Sequence, residues 1–188
     1  MRRLSQHGVR RDQTETITLR LEKKILAKLR RESEQNQTSL NTLANQIFRQ
    51  HIDWHSKASK AGYVPLQKPV IIKLLDRLSE EDVIRVAEEE VSKDMFKDVM
   101  LLLRDENDLV STLNVIETWV RLSGFPYKLE VDEDKEVYSY VIQHDMGKKF
   151  SLLLAARARV ILERLEKQGN FVVTDNTIVL KVDVGKTG

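Results

Sequence analysis

Residues 16–21 read Thr-Ile-Thr-Leu-Arg-Leu, a strict alternation of polar and apolar side chains rich in β-branched residues. A period of two sets Ile17, Leu19 and Leu21 on one face of a half-buried strand and Thr16, Thr18 and Arg20 on the other. No second strand pattern lies nearby: residues 1–13 are polar and basic without period, and helical patterns follow. A lone strand of this length leaves its backbone groups unpaired, and even a two-stranded ribbon is marginal in water. The economical solution is pairing with the same strand of a second chain. The three apolar residues then lie over the helices of both copies, and Thr16, Thr18 and Arg20 of each copy face outward.

The first helix is expected over residues 22–35, with Ile25, Leu26 and Leu29 inward. The second starts at Ser39, a good N-cap, and is expected to bury Leu40, Leu43, Ala44, Ile47, Phe48 and Ile52 at three- and four-residue spacing. Charge singles out the same region. Residues 1–60 hold 13 Lys/Arg against 6 Asp/Glu, a balance of +7, whereas residues 61–188 carry −5. A polyanion would dock on the basic half. Arg2, Arg3, Arg10 and Arg11 make residues 1–13 read as a flexible basic arm.

The run Thr-Ile-Thr-Leu-Arg-Leu-Glu-Lys-Lys-Ile-Leu-Ala-Lys-Leu, followed by Thr38-Ser39-Leu40-Asn41 at the second helix start, resembles the ribbon-helix-helix fold of CopG/Arc/MetJ-like repressors. The resemblance covers residues 15–52. It implies a homodimer whose paired strands enter the major groove of double-stranded DNA. Outward strand residues read bases in that family, which falls here on Thr16, Thr18 and Arg20. The second-helix start holds a phosphate, which falls on Ser39 and, more weakly, Asn41. The family often has Gly in the inter-helix turn where this chain has Asn36-Gln37, and Asn tolerates the left-handed conformation. The whole chain is also similar to regulators of ammonia-oxidising archaea.

Residues 56–69, with Gly62, Pro65 and Pro69, read as a linker. Beyond it, helices are expected over residues 70–78, after the Ser79/Asp82 cap with Val83, Ile84, Ala87 and Val91 inward, around Phe96, Val99, Met100 and Leu103, and through Leu109, Leu113, Ile116 and Val120. Gly124 and Pro126 stop the last. The period then changes to alternation over 127–131 and 136–144 around the acidic turn 132–135, a hairpin. A long helix over about 147–168 and a second hairpin, 171–174 and 177–184 around Asp175-Asn176, close the chain. The fold class is thus mainly α with an α+β C-terminal domain: a ribbon-helix-helix over 14–55, then four helices and a β-β-α-β-β unit over 70–188, a sensor or interaction domain.

Other constellations carry less. His51 and His55 stand at a spacing that suits a metal on one helix face, but His51 reads as lining the packing face and His55 as fraying into the linker. Some nickel-responsive regulators join this DNA-binding fold to a sensor domain rich in His and Cys. Here residues 61–188 hold only His144, and the chain has no cysteine, which argues against that mechanism and against any bound cofactor or metal. The stretch His144-Asp145-Met146-Gly147-Lys148-Lys149 joins a strand to a helix and has the elements of an anion site, but reads foremost as a capped helix start with a buried His and Asp145 as N-cap. Trp54, Trp119, Tyr127, Tyr138 and Tyr140 read as packing, and Glu88-Glu89-Glu90 as a solvated face. No phosphate loop, dinucleotide fingerprint or nucleophile elbow is present, so the chain does not read as an enzyme. Without a signal-peptide core or a span of about 20 apolar residues, a cytoplasmic protein is expected. The expectation is a homodimeric, sequence-specific DNA-binding transcriptional regulator, with an unknown ligand or protein at the C-terminal domain. The rival is a dimeric interaction module, antitoxin-like or scaffold, without specific DNA readout.

Overall fold

The computed structural model describes residues 14–92, 109–132 and 136–183. The basic arm and the helix expected around Phe96 lie outside them. Among the described residues the fold is mixed α/β, with six α-helices of nine residues or more and a four-stranded antiparallel sheet near the C-terminus. The chain divides into two compact units, Met1–Phe48 and Arg49–Gly188.

In the first unit, helix α1 spans Lys23–Gln35 and helix α2 starts at Leu40, running as Leu40–Gln50. The turn between them closes α1 through two hydrogen bonds, Thr38 N–H to Ser33 O at 2.9 Å and Gln37 N–H to Glu34 O at 3.1 Å. This is a Schellman cap, which demands a left-handed residue at its hinge. That residue is Gln37, with φ of 51°, and not Asn36, whose φ is −86°.

The expected ribbon strand is not formed. Residues 14–22 carry no strand structure, and Ile17, Leu19 and Leu21 are 66%, 54% and 46% exposed. The physical reason is the one the sequence raises: helices offer no backbone ladder for it to join. The helices fare little better. Leu43 and Ser33 are buried, Leu26, Leu29, Leu40 and Ala44 half-buried, while Ile25, Ile47 and Phe48 stay exposed, against the expected burial of all three.

The second unit begins with a π-helical turn, His51–His55, and a short helical turn, Ser56–Ala58. Trp54 and Ala58 are buried in a cluster with Val115, and Tyr63 and Trp119 pack against it. The segment read as a linker therefore contributes core, anchored by the contact of the Trp54 and Tyr63 rings at 4.8 Å. Ile52 is exposed, contrary to expectation. Helix α3 spans Lys68–Asp76, with Pro69 in its first turn, where a missing N–H costs nothing. Helix α4, Glu80–Ser92, starts as expected: Ser79 Oγ accepts the Asp82 N–H at 3.0 Å and donates to the Asp82 carboxylate at 2.8 Å. Val83, Ala87 and Val91 recur at helical spacing and are essentially fully buried. Helix α5, Leu109–Leu122, ends in a Schellman cap at Gly124, with φ of 67°. Phe125 N–H reaches Val120 O at 3.2 Å, and both side chains enter one core cluster.

Strands β1 (Tyr127–Asp132) and β2 (Val137–Gln143), helix α6 (Lys148–Arg164), and strands β3 (Gly169–Val173) and β4 (Thr177–Asp183) form the expected β-β-α-β-β unit. The sheet order is β1-β2-β4-β3. Register sets Leu129, Tyr140, Leu180 and Phe171 in one row, because Leu129 pairs with Tyr140, Tyr140 with Leu180, and Leu180 with Phe171. Tyr140, Ile142, Ile178, Leu180 and Val182 make that face the buried one, while Lys128, Glu130 and Lys181 stand exposed on the other. Helix α6 packs against β3, β4, α3 and α4, so the apolar side of the sheet meets a helical layer. Removal of a side chain such as Val83 or Val182 from water contributes roughly 1.5–3 kcal/mol each.

Candidate nucleic-acid interface

Thr16, Thr18 and Arg20 lie in segment 14–22, which carries neither helix nor strand, and are all exposed. Among the described residues no hydrogen bond or ion pair engages Arg20, and none ties the segment to the start of α2. Were this segment to pair as a strand, alternation would set the side chains of Thr16, Thr18 and Arg20 on one side and Ile17, Leu19 and Leu21 on the other.

The start of α2 is built as the sequence suggested. Ser39 Oγ accepts the Thr42 N–H at 3.0 Å and lies 2.8 Å from the Thr42 hydroxyl, so Ser39 is the N-cap. Asn45 Nδ2 donates to Asn41 O at 2.9 Å, leaving the exposed Asn41 side chain beside the cap. The first helical N–H groups, those of Leu40 and Asn41, have no carbonyl one turn back to bind. With the helix dipole they favour an anion at this end.

Helix α1 carries a related feature. Its first turn has no acidic residue; it begins with Lys23 and Lys24, the charge the dipole disfavours there by about 0.3–1 kcal/mol. Lys24 is partly compensated by Glu22 at 3.1 Å, and both side chains are well exposed.

The other residues singled out by sequence resolve into structure. His51 and His55 are both exposed, so His51 does not line a packing face; Trp54 takes the inward position of that turn. Among the described residues no three His, Cys, Asp or Glu side chains converge to hold a metal ion, and no helix is long and apolar enough to cross a membrane. Glu88 and Glu89 are exposed, as expected, whereas the half-buried Glu90 pairs with Arg157 of α6 at 2.8 Å.

His144 is buried, as expected, and its bonds define its state. Met146 N–H donates to Nδ1 at 3.2 Å, so the proton sits on Nε2, which donates to Ser151 Oγ at 2.8 Å. Ser151 Oγ–H in turn donates to Asp175 O at 3.3 Å. Burial pushes the imidazole pKa below its ordinary value of 6.5, opposed by Asp145 and assisted by Lys68. Asp145 is not the N-cap of α6. Gly147 is, with φ of 80°, and its N–H donates to Asn176 Oδ1 at 3.0 Å. Asp145 instead pairs with Lys68 at 2.8 Å. Lys148 pairs with Glu80 at 2.9 Å and Lys149 donates to Asp76 O at 3.1 Å. The two lysines needed for an anion site are committed to joining α6 to α3 and α4. Sequence reasoning missed Ser151 and Arg157, which carry no local signal on an otherwise ordinary amphipathic helix.

Comparison with protein-family models, curated proteins and solved structures found no match.

Proposed function

We propose that the chain is a sequence-specific DNA-binding regulator that acts as a homodimer, with residues 16–21 of two copies paired in the major groove. One observation carries the reading: the described part of Met1–Phe48 buries a single large apolar side chain, Leu43, while Ile17, Leu19, Leu21, Ile25, Ile47 and Phe48 are 39–66% exposed. A unit with so little core does not hold itself together in water. A second copy that pairs the strands covers Ile17, Leu19 and Leu21 and turns Thr16, Thr18 and Arg20 of both chains outward.

The chemistry of the outward face then favours duplex DNA. A two-stranded ribbon fits the major groove, where an Arg fork binds guanine O6 and N7 and Thr reaches base edges. The capped start of α2, with Ser39 and Asn41, sets the register on a phosphate, a contact that positions without specifying sequence. The +7 balance of residues 1–60 supplies the salt-dependent attraction to the backbone.

Sedimentation of the full chain, alone and with a fluorescent random-sequence duplex, tests the reading. A dimer that binds duplex at low salt and releases it as salt rises is expected. A dimer with no affinity for duplex at any salt favours the interaction module, and a monomer at tens of micromolar refutes both.

A further inference from the structure

Residues 49–188 contain a cavity of about 210 Å³ between α5, α6 and the apolar face of the sheet. Its described walls include Ile116 and Trp119 of α5, Phe150 and Leu154 of α6, and Phe171 and Leu180 of the sheet. We propose that this cavity is a binding site for a small, uncharged aromatic molecule of one or two fused rings carrying one hydrogen-bonding group.

Size comes first. A cavity of about 150 Å³ lined by aliphatic and aromatic side chains stays dry and takes up benzene. The larger volume here accommodates one ring plus a few more heavy atoms, the size of indole. The cavity is partly open to solvent, which gives a guest a way in, and apolar surface seated there is removed from water. The aromatic walls offer edge and face contacts to a planar guest.

The polar end decides the charge of the guest. Besides the apolar walls, Tyr63 and Arg157 line the cavity. Arg157 is held by Glu90 at 2.8 Å, so its positive charge is already balanced. The Tyr63 hydroxyl lies within the influence of both: burial raises its pKa, Arg157 lowers it and Glu90 raises it. A carboxylate guest would meet this balanced pair and lose its hydration without a net attraction in return. A neutral guest has one group to satisfy, and Tyr63 and Arg157 both have polar hydrogens to offer.

The cavity lies within Arg49–Gly188, and its occupancy is read without DNA, so the outcome is separate from that of the ribbon. Indole and indole-3-carboxylate are titrated by calorimetry into the full-length protein, with the Trp119 side-chain N–H and the Leu153 and Leu154 methyls followed by NMR. Indole is expected to bind more tightly than about 1 mM, to shift those signals, and to bind at least tenfold more tightly than the carboxylate. Ala158→Phe, which fills the cavity, is expected to abolish binding while the thermal midpoint holds or rises. Leu154→Phe serves the same purpose if Ala158→Phe fails to fold. No indole binding, equal binding in the filled variant, signals elsewhere, or preference for the carboxylate each overturns the proposal.

Discussion

Replacing Ser151 with alanine removes one oxygen from the interior of the C-terminal unit and strands a proton donor. Ser151 is fully buried and His144 nearly so. In the native fold the His144 Nε2–H ends on Ser151 Oγ at 2.8 Å, while Nδ1 is occupied by the Met146 N–H. The ring cannot flip its tautomer to escape, because a proton on Nδ1 would face the Met146 N–H. Asp175, the other partner of Ser151, is an exposed turn residue whose carbonyl turns to water at little cost. The loss therefore falls on one buried donor, which costs about 1–3 kcal/mol. Both tryptophans, Trp54 and Trp119, lie in residues 49–188, so their fluorescence in a urea titration reports this unit. With a slope of about 2 kcal/mol per molar urea, the midpoint is expected to fall by roughly 0.5–1.5 M. The same titration against pH carries a second expectation. The folded pKa of His144 is depressed, so its contribution to stability is complete above the unfolded value of 6.5. It is lost as pH falls below that value toward the folded one, because the unfolded chain takes up the proton first. His144→Phe is expected to remove that slope. A Ser151→Ala midpoint within 0.1 M of the parent's (about 0.2 kcal/mol at that slope), or stability that rises on acidification through this window, would refute the reasoning.

Other changes test the N-terminal unit. Gln37→Gly relieves a left-handed residue without touching the Schellman bonds, and is expected to raise stability by about 0.5–1 kcal/mol in a urea midpoint read by circular dichroism. Leu19→Asp places a charge where the second copy is to pack, and is expected to convert the dimer to a monomer in sedimentation; an unchanged dimer would remove the ribbon from the interface. Ser39→Ala is expected to lose about 0.5–2 kcal/mol of helix stability as a cap and to weaken specific and random duplexes alike.

What was legible in the sequence was local. Alternation found both hairpins, and the Ser39 and Ser79 caps were readable because a cap needs only its own next three residues. Contacts made at a distance were not. Trp54 and Ala58 sit in a polar stretch with Gly and Pro, yet their partner Val115 lies about sixty residues on. Asp145 stood one turn position where a cap was plausible, but Asn176 from the second hairpin caps the Gly147 N–H instead and frees Asp145 for Lys68. Gln37 took the left-handed hinge because the length of α1, not the identity of the turn residue, decides where the Schellman bonds close. The segment 16–21 is the reverse case: its alternation is plain, but it forms no strand, and among the described residues none pairs with it.

The central proposal is that the polar side chains of that segment read DNA sequence once two copies pair, and it rests on Arg20 more than on any other side chain. After a preferred site is selected from a random duplex library, parent and Arg20→Ala dimers are titrated with that site and with random duplex at matched salt. Loss of a bidentate guanine contact, worth about 1–3 kcal/mol, is expected to weaken the preferred site by roughly 5- to 150-fold in each half-site while random duplex changes little. An Arg20→Ala protein that stays dimeric and keeps the full ratio between the two duplexes would contradict the account.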